Sequence, residues 1–203
     1  MQAFIDENRD FVSCWLDIIG HKGYVSSVHL AIGWKYVGSR HPELKNHHVL
    51  AVAFDRFKGK WDFPGGKNDN THLRNPAEQV LVTMYKELYE ELAVTVIAPL
   101  HTFVIEILPC GRNNRNLLVV CGIKGLVADR FRGEMQKKMS IRPPLPTCFT
   151  EMSDFRYLGS RDTRTLQRST GYVQEQHERA LRVVRTSTAD FPPFDAVMRI
   201  GKR

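Results

Sequence analysis

The sequence lacks any apolar run near the roughly 18 residues that a membrane-spanning helix needs. Its longest apolar stretches, residues 49–54 and 117–123, are strand-sized, so no membrane partner is expected. No basic N-terminal segment precedes a long apolar core, so a secretory leader is not expected. A cytoplasmic location follows as the expectation, with the nucleus as the alternative. There is no CxxC pair, no HExxH and no zinc-finger spacing of Cys and His, which argues against a structural zinc site. Cys14, Cys110, Cys121 and Cys148 stand far apart and read as reduced thiols. Cys110 and Cys121 bracket a predicted hairpin and are the one pair placed to approach each other. Internal repeats and low-complexity segments are absent as well.

What is present is ordinary for a globular chain. Of 203 residues, 42% are hydrophobic and 25% charged, enough to build a core and too apolar for wholesale disorder. The net charge of +7 is uneven. Residues 1–100 hold 11 basic and 12 acidic side chains, whereas residues 101–203 hold 18 and 10. A basic surplus confined to one half attracts phosphates, nucleotides or RNA.

The hydrophobic periods give the element order. Residues 4–19 form an amphipathic pattern, predicting an N-terminal helix within residues 1–22. Its Phe4, Phe11 and Trp15 suit packing on the body of the protein or a homodimer contact. Residues 28–36 and 50–54 alternate as strands. Asn75 and Pro76 mark a helix start, and the following period runs to Leu92. Residues 94–97, 102–108, 117–123 and 155–158 read as further strands, and a second amphipathic helix begins at Tyr172. Residues 129–148 read as a loop with a short helical piece at 134–139, and residues 190–203 as a flexible tail. One α/β domain spanning residues 1–203 is the expectation, with a mixed sheet between helices.

One constellation carries chemistry. Trp61, Asp62, Phe63, Pro64, Gly65, Gly66 and Lys67 precede a helix that ends Lys86, Glu87, Leu88, Tyr89, Glu90, Glu91, Leu92, Ala93. At about 100° per residue, Glu87 and Glu91 lie about 40° apart with Glu90 beside them. Such carboxylates repel one another, and a helix C-terminus disfavours them further. A divalent cation relieves both penalties, and several carboxylates completed by water suit Mg²⁺ or Mn²⁺. Two glycines let backbone approach a metal or phosphate closely.

These residues resemble the Nudix hydrolases, whose box reads G-x5-E-x7-R-E-U-x-E-E-x-G-U, with U a bulky aliphatic residue. Lys86 through Val94 resembles its second half, and Phe63 through Lys67 the usual entry. The resemblance implies an α/β/α sandwich and metal-dependent hydrolysis of a nucleoside diphosphate linked to another group. It implies that Gly65, Glu87, Glu90 and Glu91 hold the metal, and that Lys86 and Glu78 brace the carboxylates by charge pairing. The general base is open among Glu90, Glu91, Glu134, Glu151 and Asp154. Three departures stand out: Lys86 replaces the family Arg, Ala93 replaces the family Gly, and Gly66 lies 12 residues before Glu78 instead of 6.

The substrate is less legible. Arg40, Arg56, Lys60, Lys67, Arg112 and Arg115 are candidate phosphate-binding cations, and Trp34, Phe103, Phe131 and Phe149 candidate base-stacking rings. Twelve Lys and Arg between Arg130 and Arg185 suit an RNA 5′ end. Three readings follow: hydrolysis of a small nucleotide derivative, hydrolysis at a capped or triphosphorylated RNA end, or a non-catalytic Nudix module binding nucleotide or RNA.

Overall fold

The computed structural model describes residues 1–70, 72–111, 113–142 and 145–201. Strands β1 (Ser27–Lys35), β2 (His48–Asp55), β3 (Lys60–Asp62), β4 (Gly65–Lys67), β6 (Val104–Cys110), β7 (Asn116–Gly122) and β8 (Met152–Gly159) form one mixed sheet. The short β5 (Val94–Val96) instead pairs with β9 (Met198–Ile200). Among the described residues, β1 and β7 are the one parallel strand pair of the large sheet. The helices are α1 (Gln2–Ile18), α2 (Pro76–Leu92), α3 (Ala128–Ser140), α4 (Thr163–Gln167), α5 (Gly171–Thr186) and α6 (Phe194–Val197).

The period of two along the strands divides the core into two layers. Leu30, Ile32, Val49, Ala51, Leu117 and Val119 face α1, α2 and α3. Their neighbours Ala31, Leu50, Val52, Leu118 and Val120 face Ala180, Leu181 and Val184 of α5. The expected mixed sheet between helices is what the chain forms.

The sheet splits at the place that builds the site. β1 pairs with β2 only over Gly33, Trp34 and Lys35, and with β4 over Ser27, Val28 and His29. The Pro64 carbonyl accepts the Leu30 N–H in the gap at 2.7 Å. Gly65 occupies this opening at φ +139°, and a Cβ there would lie 2.2 Å from the Val28 carbonyl oxygen. Only glycine fits.

Several expectations are corrected. Residues 129–148 are not mainly loop, because α3 runs a full 13 residues and buries Phe131 and Met135 against β8 and α6. Its basic outer positions hid that apolar stripe. The segment read as a loose tail instead forms α6 and β9, with Phe194, Val197 and Met198 buried. Too few residues repeat there to show a period. Cys110 and Cys121 sit at opposite ends of the β6–β7 pairing, where Cys110 faces Asn116 and Val104 faces Cys121; both are free thiols. Trp34, Phe103 and Phe131 are core side chains, each about 2% exposed, and are not available to stack a base. α1 turns Phe4, Val12 and Leu16 into the chain's own core.

Among the described residues, no helix is long and apolar enough to cross a membrane.

Candidate functional site

α2 positions the carboxylates. Its start is fixed by Asn75, whose side-chain oxygen accepts the Ala77 N–H at 2.8 Å, with Pro76 in the first turn. Its end is fixed by Ala93 in the left-handed conformation at φ 54°, ψ 37°, the position where the family resemblance places glycine. One face buries Val80, Leu81, Met84, Leu88 and Leu92, which turns Glu87 and Glu91 toward β4.

The contact with β4 is close. The Gly65 N–H donates to Glu91 Oε2 at 2.7 Å. The Glu87 carboxylate lies where a Gly66 side chain would be, 2.6 Å from the position of that missing Cβ to Oε1. The two glycines thus let main chain and two carboxylates share one narrow space. Burial, together with Glu90 and Glu151, pushes the Glu87 carboxyl up to about 7 despite the adjacent Lys86. Burial and the Glu87 charge raise Glu91 as well, against the Gly65 N–H, which favours its charged form.

Of the two bracing residues, Lys86 acts by its charge on Glu87 and Glu90 as expected, whereas Glu78 turns elsewhere. Glu78 binds Arg9 of α1, Nε to Oε1 at 2.9 Å, while Lys86 reaches Asp69 at 3.4 Å. Eight residues along a helix separate Glu78 from Lys86 by about 12 Å and about 80°, so the two face different neighbours. Burial alone would lower the Lys86 pKa, but Glu90, Asp69 and Glu87 raise it.

The inserted segment between Gly66 and α2 is pinned by buried Asn68. Its side chain donates to the Val25 carbonyl at 2.9 Å and to Gln79 Oε1 at 3.3 Å, and accepts the Asn70 N–H at 2.9 Å. Insertion here therefore leaves the approach of β4 to α2 intact and delivers Asp69 to Lys86.

A second acidic network borders the carboxylates. Lys58 bridges Asp55 at 2.7 Å and Asp62 at 3.3 Å, with Glu151 at 3.9 Å. Burial and the neighbouring Asp55 raise the Glu151 carboxyl. Of the later-loop base candidates, Glu151 stands among the main charges that raise both Glu87 and Glu91. Glu134 pairs with Lys137, and Asp154 with Arg132. The Lys58 network joins two segments, residues 55–62 and Glu151, and sequence offered no signal for the link between them.

The predicted cations divide. Arg56 donates its main-chain N–H to the Glu151 carbonyl at 3.0 Å, while its guanidinium lies over the Phe57 ring at 5.1 Å and 3.6 Å from Met139 Sδ. Lys67 ends β4, opposite Ser27, and Arg115 flanks the other side of that segment through its carbonyl bond from the Ser26 N–H at 2.8 Å. Arg40 is not at this site; it pairs with Asp129 near the far end of β8. Arg112 lies outside the described residues. Lys60 is exposed at the start of β3.

Among the described residues, no three His, Cys, Asp or Glu side chains stand together as a ready-made metal centre. Mg²⁺ uses such centres rarely, keeping several waters and taking one or two carboxylates plus substrate phosphates. Glu87 and Glu91, hard oxygen donors held against glycines and raised chiefly by burial, with neighbouring carboxylates adding to it, fit that mode in donor type and charge.

No family model and no curated protein matches the sequence. Among solved structures, the NUDIX domain of Shewanella oneidensis NrtR, crystallised with ADP ribose, is similar at 16% identity and TM-score 0.42, covering 79% of this chain and 88% of that one. The Nudix hydrolase RenU from M. smegmatis is similar at 12% identity and TM-score 0.38, covering 80% and 90%. Both are likenesses of backbone path at low identity.

Proposed function

We propose that this chain is a metal-dependent hydrolase of the Nudix type, cleaving the diphosphate linkage of a nucleoside diphosphate joined to another group. The observation that carries the reading is the meeting of Gly65 and Gly66 with Glu91 and Glu87. It joins the two halves of the sequence resemblance in space despite the longer spacing between them.

In this reading Glu87 and Glu91 hold Mg²⁺ or Mn²⁺ with Glu90 and the Gly65 carbonyl. The ion, when bound, neutralises diphosphate oxygens and activates water. Glu151 takes the proton of the attacking water on a carboxylate oxygen, a task suited to its raised pKa. Lys58 keeps Asp55 and Asp62 oriented beside it. Arg56 and Lys67 offer positive charge to the phosphates at the rim. Positioning and charge neutralisation supply most of the acceleration.

RNA 5′ ends are a second substrate class, supported by exposed Arg179, Arg182 and Arg185 along one face of α5. The test is product release with Mg²⁺, Mn²⁺ or EDTA from dinucleoside polyphosphates, ADP-ribose, NADH, nucleotide sugars, NTPs and capped RNA. Metal-dependent cleavage abolished in E90Q and E91Q is the expected result. Turnover that survives both substitutions overturns the assignment, and binding without turnover identifies a non-catalytic module.

A further inference from the structure

A cavity of about 840 Å³ opens around the last residues of β8, within the size range of small-molecule sites. It is not the carboxylate site. Glu151 precedes β8, whereas the strand residues lining the cavity are Arg156, Tyr157 and Gly159, roughly 16–26 Å further along the strand at about 3.3 Å per residue.

Its lining is rich in guanidinium groups: Arg40, Arg132, Arg156 and Arg161. The acidic groups of the lining already have partners. Asp129 is held by Arg40 and Arg132. Asp162 accepts the Thr165 N–H at 2.9 Å and caps α4. Glu43 faces His41 at 3.3 Å. Among the described residues, Arg156 and Arg161 have no carboxylate partner. Arg156 instead lies over the Trp61 ring at 4.8 Å, an arrangement that occupies the face of the guanidinium and leaves its N–H edges for an anion.

Two further features belong to the same space. The 13-residue α3 begins here, with Ala128 and Asp129 in the lining, so the positive end of its dipole adds to the arginines. Tyr157 accepts the Ala128 N–H at 3.0 Å. Within the lining the Tyr157 ring meets the His41 ring edge-on at 5.7 Å, giving the cavity an aromatic corner. Guanidinium groups suit phosphate, and an aromatic ring offers a face or an edge to a planar heterocycle.

We propose that this cavity is a second, non-catalytic binding site for a nucleotide: a phosphate monoester carrying an aromatic base. Arg156 and Arg161 receive the phosphate on one side of the β8 edge, and the base reaches round that edge to Tyr157 and His41, because consecutive strand residues face opposite sides of the sheet. The site neither needs nor uses a metal.

The test is calorimetric titration of the full chain with AMP, GMP, CMP and UMP in EDTA, where phosphate binding at the carboxylates is suppressed. Saturable binding of at least one nucleotide is expected, with competition by inorganic phosphate. It should persist in E91Q and weaken tenfold or more in R156Q/R161Q. R161Q alone, at an exposed position, carries the test if the double variant loses its thermal transition. Absence of saturable binding, or equal binding by the arginine variants, overturns the proposal. Binding lost in E91Q and kept in R156Q/R161Q also overturns it, because the nucleotide then occupies the carboxylate site. Metal-dependent turnover, measured separately, tells that failure from failure of the hydrolase reading.

Discussion

The ammonium of Lys138 lies 2.7 Å from the main-chain carbonyl of Glu91. It donates also to the Glu90 carbonyl at 2.8 Å, from a side chain 3% exposed. The last carbonyls of a helix lack partners within it and carry partial negative charge. α3 thus supplies a cation to the end of α2 at two of the residues read as metal ligands, Glu90 and Glu91.

Lys138→Met keeps the buried stem and removes the donor, leaving buried carbonyls without this partner. A loss of about 1–3 kcal/mol is expected, read as a lower thermal midpoint. The Mg²⁺ concentration for half-maximal turnover should rise as well. A variant that loses stability but keeps its metal dependence would make Lys138 purely structural.

Gly66→Ala brings a Cβ to within 2.6 Å of the Glu87 carboxylate. That carboxylate is the far end of a side chain and can swing away, so the fold should survive. Turnover should fall at least tenfold, with a circular dichroism spectrum like that of the unchanged protein. Unchanged turnover would show that Glu87 does not need this position.

Ala93 holds a left-handed backbone with φ 54°. Ala93→Gly relieves that strain while adding freedom to the unfolded chain. A net gain of about 0.5–1 kcal/mol is expected, or about 1–4 °C in thermal midpoint. A lower midpoint would mean that the Ala93 methyl, buried at 5% exposure, contributes more by packing than it costs in strain.

In the metal-free chain Glu87 is pushed up to about 7 from an ordinary value near 4.5. A carboxyl raised on folding favours the folded state below its unfolded value, and that contribution is lost as pH rises through the folded value. The stability difference between Glu87→Gln and the unchanged protein should therefore shift in favour of Glu87→Gln between about pH 4.5 and pH 8. Thermal midpoints in EDTA measure it. Saturating Mg²⁺ at pH 8 should restore the stability of the unchanged protein more than that of Glu87→Gln. A pH-independent difference would mean that Glu87 is not desolvated.

Local order was legible because it depends on neighbours in sequence. Asn75 with Pro76 marked the start of α2, the apolar period carried it to Leu92, and large apolar residues at every second position drew β1 and β2. The spacing of Glu87 and Glu91 placed both on one helical face before any fold was known. α3 and β9 were missed because polar surface residues diluted one pattern and a three-residue strand has almost no period. Pairings across the chain carry no such signal: Lys138 with Glu91, Lys58 with Glu151, Glu78 with Arg9, and Asp69 with Lys86. Residue identity and local spacing settle which side chains can bear the charge and which positions can bend the backbone. Only the tertiary structure decided which of them share a site, because Coulomb energies and desolvation depend on distance through space, and the splitting of β1 between β2 and β4 sets those distances.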